Sequence, residues 1–348
     1  MNILHTDTTP AANCTIGGKE MLFFSGFSYL GLHSLPAFRE LLKAGVDQYG
    51  TVFISSRIAN VRLELYEELE HALAVLQQQQ AAATFSSGYL ASQAAARYVS
   101  GKGQLLYAPD THPSLHTGAN EIPATSWENW VPQTIERINS HADHTFVIVA
   151  DSVNPLTSTI NDFSWLQQLQ RHTLVLIDDS HGIGILGDTG SGISSLLPRQ
   201  PFLRYLLSSS IAKAYSTQGG VIAGHAADIA AIKKSPFFTG ATPMMPANVW
   251  AFLQSFPLHQ SQRELLRNRV RYLAQLTAGL EHVHNPLQLP VFLLKHPGDI
   301  AARLLEHDII ISSFSYPHPD NPPINRAVIS ALHTDNDLRI LHSFLLNL

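Results

Sequence analysis

Five polar groups sit at the ends of apolar runs in this chain. They are Ser86-Ser87-Gly88, Asp110-Thr111-His112, Asp151, Asp178-Asp179-Ser180-His181, and Ser208-Ser209-Ser210 with Lys213. Each alone has an ordinary structural reading as well as a chemical one. Ser-Ser-Gly before a helix is a cap or an anion site. A strand-end Asp is a turn residue or a ligand, and a lone Lys is a solvated cation or a nucleophile. Taken together, their chemistry is coherent. A lysine flanked by small and hydroxyl residues can bond an aldehyde carbon. A carboxylate can hold a pyridine nitrogen protonated and so make the ring an electron sink. Hydroxyls and helix N-terminal amides can hold a phosphate dianion, and a histidine can stack on the ring or hydrogen-bond to it. This is an inventory for pyridoxal 5′-phosphate (PLP). A metal centre fits less well: His112 and His116 have i,i+4 spacing, but Pro113 lies between them, and no metal is expected.

The surrounding pattern supplies elements to position these groups. Leu65, Leu69, Leu73 and Leu76 follow helical spacing, and the glutamine run 77–80 reads as the solvated end of that helix. Strands are predicted at Ala81–Phe85, Gln104–Tyr107, Thr145–Ala150, Thr173–Ile177, Leu203–Ser209 and Gly220–Ala223, with a helix over Gly88–Val99 and another over Phe163–His172. Continuous apolar strands alternating with helices predict an α/β fold with a mainly parallel sheet covered on both faces. Ligands of such sheets gather beyond the carboxyl ends of the strands, where the five groups fall. After Met245 the pattern changes. Ala247–Val283 reads as helical with a break near Pro257. Strands at Val291–Leu294, Ile309–Ser313 and Ala327–Leu332, with helices near Gly298–Glu306 and Asp335–Leu346, predict a smaller α+β domain, which Met21–Phe24 joins from the N-terminus. The expected division is a large domain over 40–245 and a small one built from 1–39 and 246–348.

Composition narrows the classes. The chain has 348 residues, of which 45% are hydrophobic and 14% charged, with a formal net charge of −5. An extended disordered chain would carry more charge and fewer apolar residues. A dedicated nucleic-acid binder would be basic. One cysteine, Cys14, in a polar N-terminal stretch excludes an internal disulfide framework. No apolar run reaches the roughly 20 residues that span a bilayer, and no export signal is visible, so a soluble cytoplasmic protein is expected.

The run from Ile177 to Gly187, with its core Asp178-Asp179-Ser180-His181-Gly182 and further glycines at 190 and 192, resembles the D-D-A-H-G segment of the α-oxoamine synthases, fold-type I PLP-dependent enzymes. Four more segments resemble that family in the same order: Tyr29-Leu30-Gly31-Leu32; Ser210-Ile211-Ala212-Lys213-Ala214; Thr242 with Pro246-Ala247; and Arg326 with Ser330 to His333. The resemblance implies roles. Lys213 would carry the cofactor and later act as base at the amino acid's Cα. Asp178 would pair with the ring nitrogen, His181 with the phenolic oxygen, and His112 would stack on the ring. Ser87, Gly88, Tyr89 and Ser210 would hold the phosphate, with Thr242 reaching the phosphate of a second subunit in a homodimer. Arg326, which its own setting would make a surface residue, would bind the substrate carboxylate.

The resemblance implies a PLP-dependent acyltransferase that condenses an α-amino acid with an acyl-CoA thioester to give a 2-amino ketone. An aminotransferase or other Cα-bond enzyme is the alternative, and a non-catalytic PLP-fold binding protein a more distant one. The substrate-facing motifs depart from the family. Phe27 stands for its Asn, Val52, Phe53 and Ile54 lie in its glycine-rich segment, and Pro155 stands for its Ser.

Overall fold

The structure, a computed structural model, describes residues 3–118, 122–286, 289–315 and 320–348. In chain order the first half contains β1 (Asn13–Ile16), β2 (Lys19–Phe24), α1 (Pro36–Tyr49), α2 (Glu64–Leu76), β3 (Ala81–Phe85), α3 (Gly88–Val99), β4 (Gln104–Tyr107), α4 (Trp127–Ser140), β5 (Phe146–Asp151), β6 (Val153–Asn154), β7 (Thr159–Ile160) and β8 (Thr173–Asp178). There follow β9 (Leu203–Ser210), β10 (Gly220–Gly224), α5 (Ala226–Ile232), α6 (Pro236–Thr239), α7 (Pro246–Gln254), α8 (Phe256–Leu276), β11 (Val283–His284), β12 (Val291–Leu294), α9 (Ile300–Leu305), β13 (Ile309–Ser315), β14 (Pro323–Val328) and α10 (Asp335–Leu345).

The chain divides into two compact units. The larger comprises Pro36–Asn154 and Asn161–Phe256; the other comprises the N-terminal segment through Leu35, Pro155–Ile160 and Pro257–Leu348. The division therefore falls after Phe256 rather than after residue 245, and a short segment at 155–160 leaves the larger unit. Helix α7 stays with the larger unit because it packs on α1. A Cβ added to Gly45 would lie 2.9 Å from the Cα of Ala247, so the two backbones approach as closely as a glycine allows.

The larger unit is built on a six-stranded sheet of order β3-β10-β9-β8-β5-β4. Strands β4, β5, β8 and β9 are parallel, while β10 runs antiparallel to both β9 and β3. The reversal follows from the connection. Only a short helix-free turn joins β9 to β10, and a parallel pair needs a longer crossover. Val147 to Ala150 and Val175 to Ile177 have essentially no exposed surface, as strands covered on both faces must. The predicted helix over Phe163–His172 is only a 3₁₀ turn, Ser164–Gln168. Asp162 accepts from both the backbone N–H and the hydroxyl of Ser164, and Leu169 is already extended. The apolar spacing there reports burial of Trp165, Leu166 and Leu169 rather than a helix.

The other unit holds a mixed sheet of order β1-β2-β13-β14-β12-β11, in which β2 pairs parallel with β13. Cys14 is not in a polar tail. It lies in β1 with its side chain buried, and burial raises its thiol pKa. His333 is also structural: it accepts the Ser330 N–H at Nδ1, faces the Phe23 carbonyl through Nε2, and stacks on Phe24 at 4.3 Å. Burial depresses its pKa to about 4, so the ring is neutral.

One buried ionic network ties the larger unit together. Glu70 Oε1 accepts from Arg57 at 2.9 Å, from the Thr84 N–H at 3.0 Å and from the Thr84 hydroxyl at 3.1 Å, while Oε2 accepts from Lys233 at 2.7 Å. The Arg57 guanidinium lies over Tyr66 and Phe238. Glu70 therefore joins the segment that precedes α2 to the end of β3. Removing one member of a buried ionic set strands the others. Glu70→Ala should lose about 3–5 kcal/mol in urea unfolding, whereas Lys43→Ala, which breaks the exposed pair with Glu40, should cost at most about 1 kcal/mol.

Candidate active site

The parallel register places Asp151 beside Asp178 and Asp178 beside Ser208 at the carboxyl ends of β5, β8 and β9. Asp178 is only 9% exposed. Its Oδ1 accepts the Ser180 N–H at 2.9 Å. Its Oδ2 lies 3.3 Å from the Ser92 hydroxyl and 3.2 Å from that of Ser114. Ser92 projects from α3 and in turn meets the Ser208 hydroxyl at 2.9 Å.

Lys213 lies on the turn between β9 and β10, half-buried, with its Nζ 2.8 Å from Nε2 of His181. That contact depends on the loop after β8, whose anchor is Asp179. This carboxyl is fully buried, takes the Ser152 hydroxyl at 2.6 Å on Oδ1 and accepts the Ile193 N–H at 3.0 Å on Oδ2. A Cβ on Gly182 would fall 1.9 Å from Oδ1, and one on Gly192 would fall 1.8 Å from Oδ2. Two glycines are thus required where the loop folds around the carboxyl. Ser180 completes the arrangement by accepting the Ser210 N–H at 2.9 Å.

His112 follows Asp110, whose φ of +58° turns the chain over the end of β4. The His112 N–H donates to Asp151 Oδ2 at 3.0 Å. Desolvation, outweighing the attraction of Asp178 and aided by the repulsion of Lys213 and His116, lowers the pKa of the His112 ring. Asp151 is shifted in the opposite sense. Burial first, then the neighbouring Asp178 charge, raises its carboxyl well above the usual range, and its Oδ1 is buried without a hydrogen-bond partner. His116 uses Nε2 on the Thr111 carbonyl at 2.9 Å and packs edge-on to Tyr107, which explains its spacing from His112 without a metal.

Ser87 caps α3, its hydroxyl accepting the Leu90 N–H at 3.2 Å. The amides of Gly88 and Tyr89 open the helix and have no carbonyl partner within it. Helix and strand ends meet here without room for side chains. A Cβ on Gly88 would lie 2.4 Å from Ser210 Cβ, and one on Gly220 would lie 2.3 Å from the Ser87 carbonyl oxygen. The result is a cradle of amides and hydroxyls at a positive helix end, which suits a phosphate. Tyr89 itself is 63% exposed.

The structure thus brings Lys213, His181, Asp178, His112, Ser87, Gly88 and Ser210 to one edge of one sheet. Thr242 is exposed, on the turn between α6 and α7. Arg326 belongs to the other unit and is 2% exposed, not a surface residue. Its NH1 donates to the Pro155 carbonyl at 3.0 Å, its guanidinium lies over Phe314 at 4.7 Å, and its Nε is buried without a partner. Sequence reading assigned no site role to Ser92 or Ser114, and gave Asp179 no role apart from Asp178. The signals were a hydroxyl on the alanine-rich face of α3 and the glycines that must surround a second carboxyl.

Asp179 yields a pH prediction. Burial raises its pKa to about 8 from an ordinary 3.8. The folded state therefore binds an extra proton between those values, and stability falls as pH rises through that window. The pH dependence of thermal unfolding between pH 5 and 8 should flatten in Asp179→Asn relative to the unsubstituted protein; an unchanged slope would show the carboxyl to be ionised in the fold.

No protein-family model matches the chain. The chain is 28% identical over 358 residues to a putative 8-amino-7-oxononanoate synthase of Acaryochloris marina, covering 96% of this chain and 90% of that one. It is 27% identical to a serine palmitoyltransferase of Bacteriovorax stolpii, covering 75% of this chain and 64% of the relative. Among solved structures, the Sphingomonas wittichii serine palmitoyltransferase superposes with a TM-score of 0.82 at 18% identity, covering 98% of this chain and 90% of that one. The resemblance to the α-oxoamine synthases seen in five short motifs extends over nearly the whole chain, and the fold is theirs.

Proposed function

We propose that this chain, a relative of the α-oxoamine synthases, is a PLP-dependent acyltransferase that condenses an α-amino acid with an acyl-CoA thioester to give a 2-amino ketone. The observation that carries this reading is the grouping of Lys213 and His181, in contact at 2.8 Å, with the buried Asp178 and the amide and hydroxyl cradle at the start of α3, at the strand ends of one sheet. The residues present fit the cofactor. The cradle is lined by Ser87, Gly88, Tyr89 and Ser210, the carboxylate for a ring nitrogen is Asp178, and the amine for an aldehyde is Lys213.

When bound, PLP supplies an electron sink for the pair left at the substrate's Cα. Everything else is done by side chains. Lys213 would hold the cofactor through its aldehyde and, as a free amine, would take the Cα proton at Nζ. His181 orients that amine through Nε2, and with the amine engaged by the cofactor the same nitrogen would be available to the phenolic oxygen. Asp178 would keep a proton on the ring nitrogen. His112 would cover one face of the ring, its position set by the bond from its N–H to Asp151. Arg326 is proposed to bind the amino acid's carboxylate: its Nε is buried and unpartnered, and a guanidinium–carboxylate pair satisfies such a donor.

The proposed assembly is a homodimer in which Thr242 reaches the neighbour's phosphate. Supporting it, Val52, Ile54, Ile58 and Val61 are exposed, Ile54 by 93%. Their segment is tied to the chain just before Thr242 by the bond from the Ser56 hydroxyl to the Thr239 carbonyl at 2.8 Å. Exposed aliphatic side chains grouped in this way mark a surface that a partner covers. A cytoplasmic location is proposed with it; among the described residues no helix is long and apolar enough to cross a membrane.

Purified protein supplied with PLP should show a visible absorption band that borohydride abolishes, and Lys213→Ala should lose the band. Thiol release from acyl-CoA in the presence of an α-amino acid should fall by about 10²-fold or more in that variant, the scale of a lost general base. Full turnover by Lys213→Ala would overturn the mechanism. Amino-group transfer to an oxo acid without thiol release would make the chain an aminotransferase.

A further inference from the structure

Ser114 is buried beneath His112 and placed between two acceptors. Its hydroxyl oxygen lies 2.8 Å from Nδ1 of His112 and 3.2 Å from Oδ2 of Asp178. Its backbone N–H also points at Nδ1, at 3.2 Å. A serine hydroxyl carries one proton and can serve one acceptor at a time. With no proton on Nδ1, its single lone pair takes the hydroxyl of Ser114 as the nearer donor at 2.8 Å, the amide at 3.2 Å sharing it weakly, and among its described contacts Asp178 then retains Ser92 and the Ser180 N–H as donors. With a proton on Nδ1, the ring donates to Ser114 Oγ and the hydroxyl proton turns to Asp178 Oδ2.

We propose that Ser114 is a positioning residue that couples the proton on His112 Nδ1 to the number of hydrogen bonds Asp178 receives. The inference rests on the reading that Asp178 pairs with the cofactor's ring nitrogen. Each donor withdrawn from a carboxylate makes it a stronger base. A neutral His112 with its proton on Nε2 therefore leaves Asp178 with the fewest donors and Oδ2 most open to a ring N–H. The remaining neighbours favour that state. Lys213 and His116 repel a charged imidazole, and desolvation disfavours it. Asp178 alone pulls the other way, while Asp151 is engaged by the backbone N–H of His112.

The test is a double-mutant cycle read at His112 by ¹⁵N NMR of histidine-labelled full-length protein without cofactor. His112 is titrated in the unsubstituted protein, Asp178→Asn, Ser114→Ala and the double variant. Neutral His112 should carry its proton on Nε2. The lowering of the His112 pKa caused by Asp178→Asn should shrink by at least half when Ser114 is alanine. An equal lowering in both backgrounds would show simple through-space attraction and overturn the proposal. If Ser114→Ala does not fold, Ser114→Cys, with a weak S–H donor of similar size, gives the same reading. PLP binding is scored separately by the visible band of the unsubstituted protein. Absence of that band refutes the functional reading without touching the coupling, and loss of coupling refutes the inference without touching the band.

Discussion

The site depends on how Asp178 is held where water barely reaches. Among its described contacts the partners are two serine hydroxyls and one amide; no cation is bonded to it. A direct salt bridge would pin the carboxylate too firmly for it to bind a protonated ring nitrogen as its principal partner. Neutral donors stabilise the charge by a modest amount each and leave room for one stronger bond. The rest of the arrangement follows. Ser208 has to lie in register beside Asp178, α3 has to bring Ser92 across the sheet, and the turn after β4 has to place Ser114 beneath His112. The nearby Asp151, lacking comparable donors on Oδ1, is pushed toward its neutral form instead.

Much of this was legible in the chain. Buried parallel strands announce themselves as continuous β-branched runs, and Asp178, His181 and Lys213 stand at their ends. Other features were hidden because they are relations across the fold. Nothing local distinguishes Ser92 or Ser114 from helix and turn serines, since their role comes from what the sheet places opposite them. Asp179 looks like a duplicate of Asp178, but the two point to different sides of the strand end, one toward a ring of hydroxyls and the other into a closed loop. The 163–172 segment carried helical spacing without helical length, and Cys14 sat among polar residues that belong to the exposed face of a strand. Arg326 is the sharpest case: it is covered by residues far away in sequence, Pro155 and Phe314 among them.

The departures from the family fall on particular surfaces. Ser87, Gly88, Asp178, His181, Ser210 and Lys213 each have a local reason to be where they are. The changes lie at Phe27, at 52–54 and at Pro155. Pro155 turns its carbonyl to Arg326, so one arm of that guanidinium is already committed to the backbone. The aliphatic residues at 52 and 54 replace flexible backbone by exposed apolar bulk.

The reversal of β10 has a mechanical meaning for Lys213. The turn that carries this lysine is the tip of a hairpin whose two arms are interior strands, β9 lying between β8 and β10, and β10 between β9 and β3. Shifting its backbone would tear ladders on both sides of the sheet at once. In the proposed reaction the amine would have to join and leave a carbon atom in every cycle, and its reach would come from the four methylenes of its own side chain. The protein thus holds the arm at a fixed shoulder and lets only the hand travel.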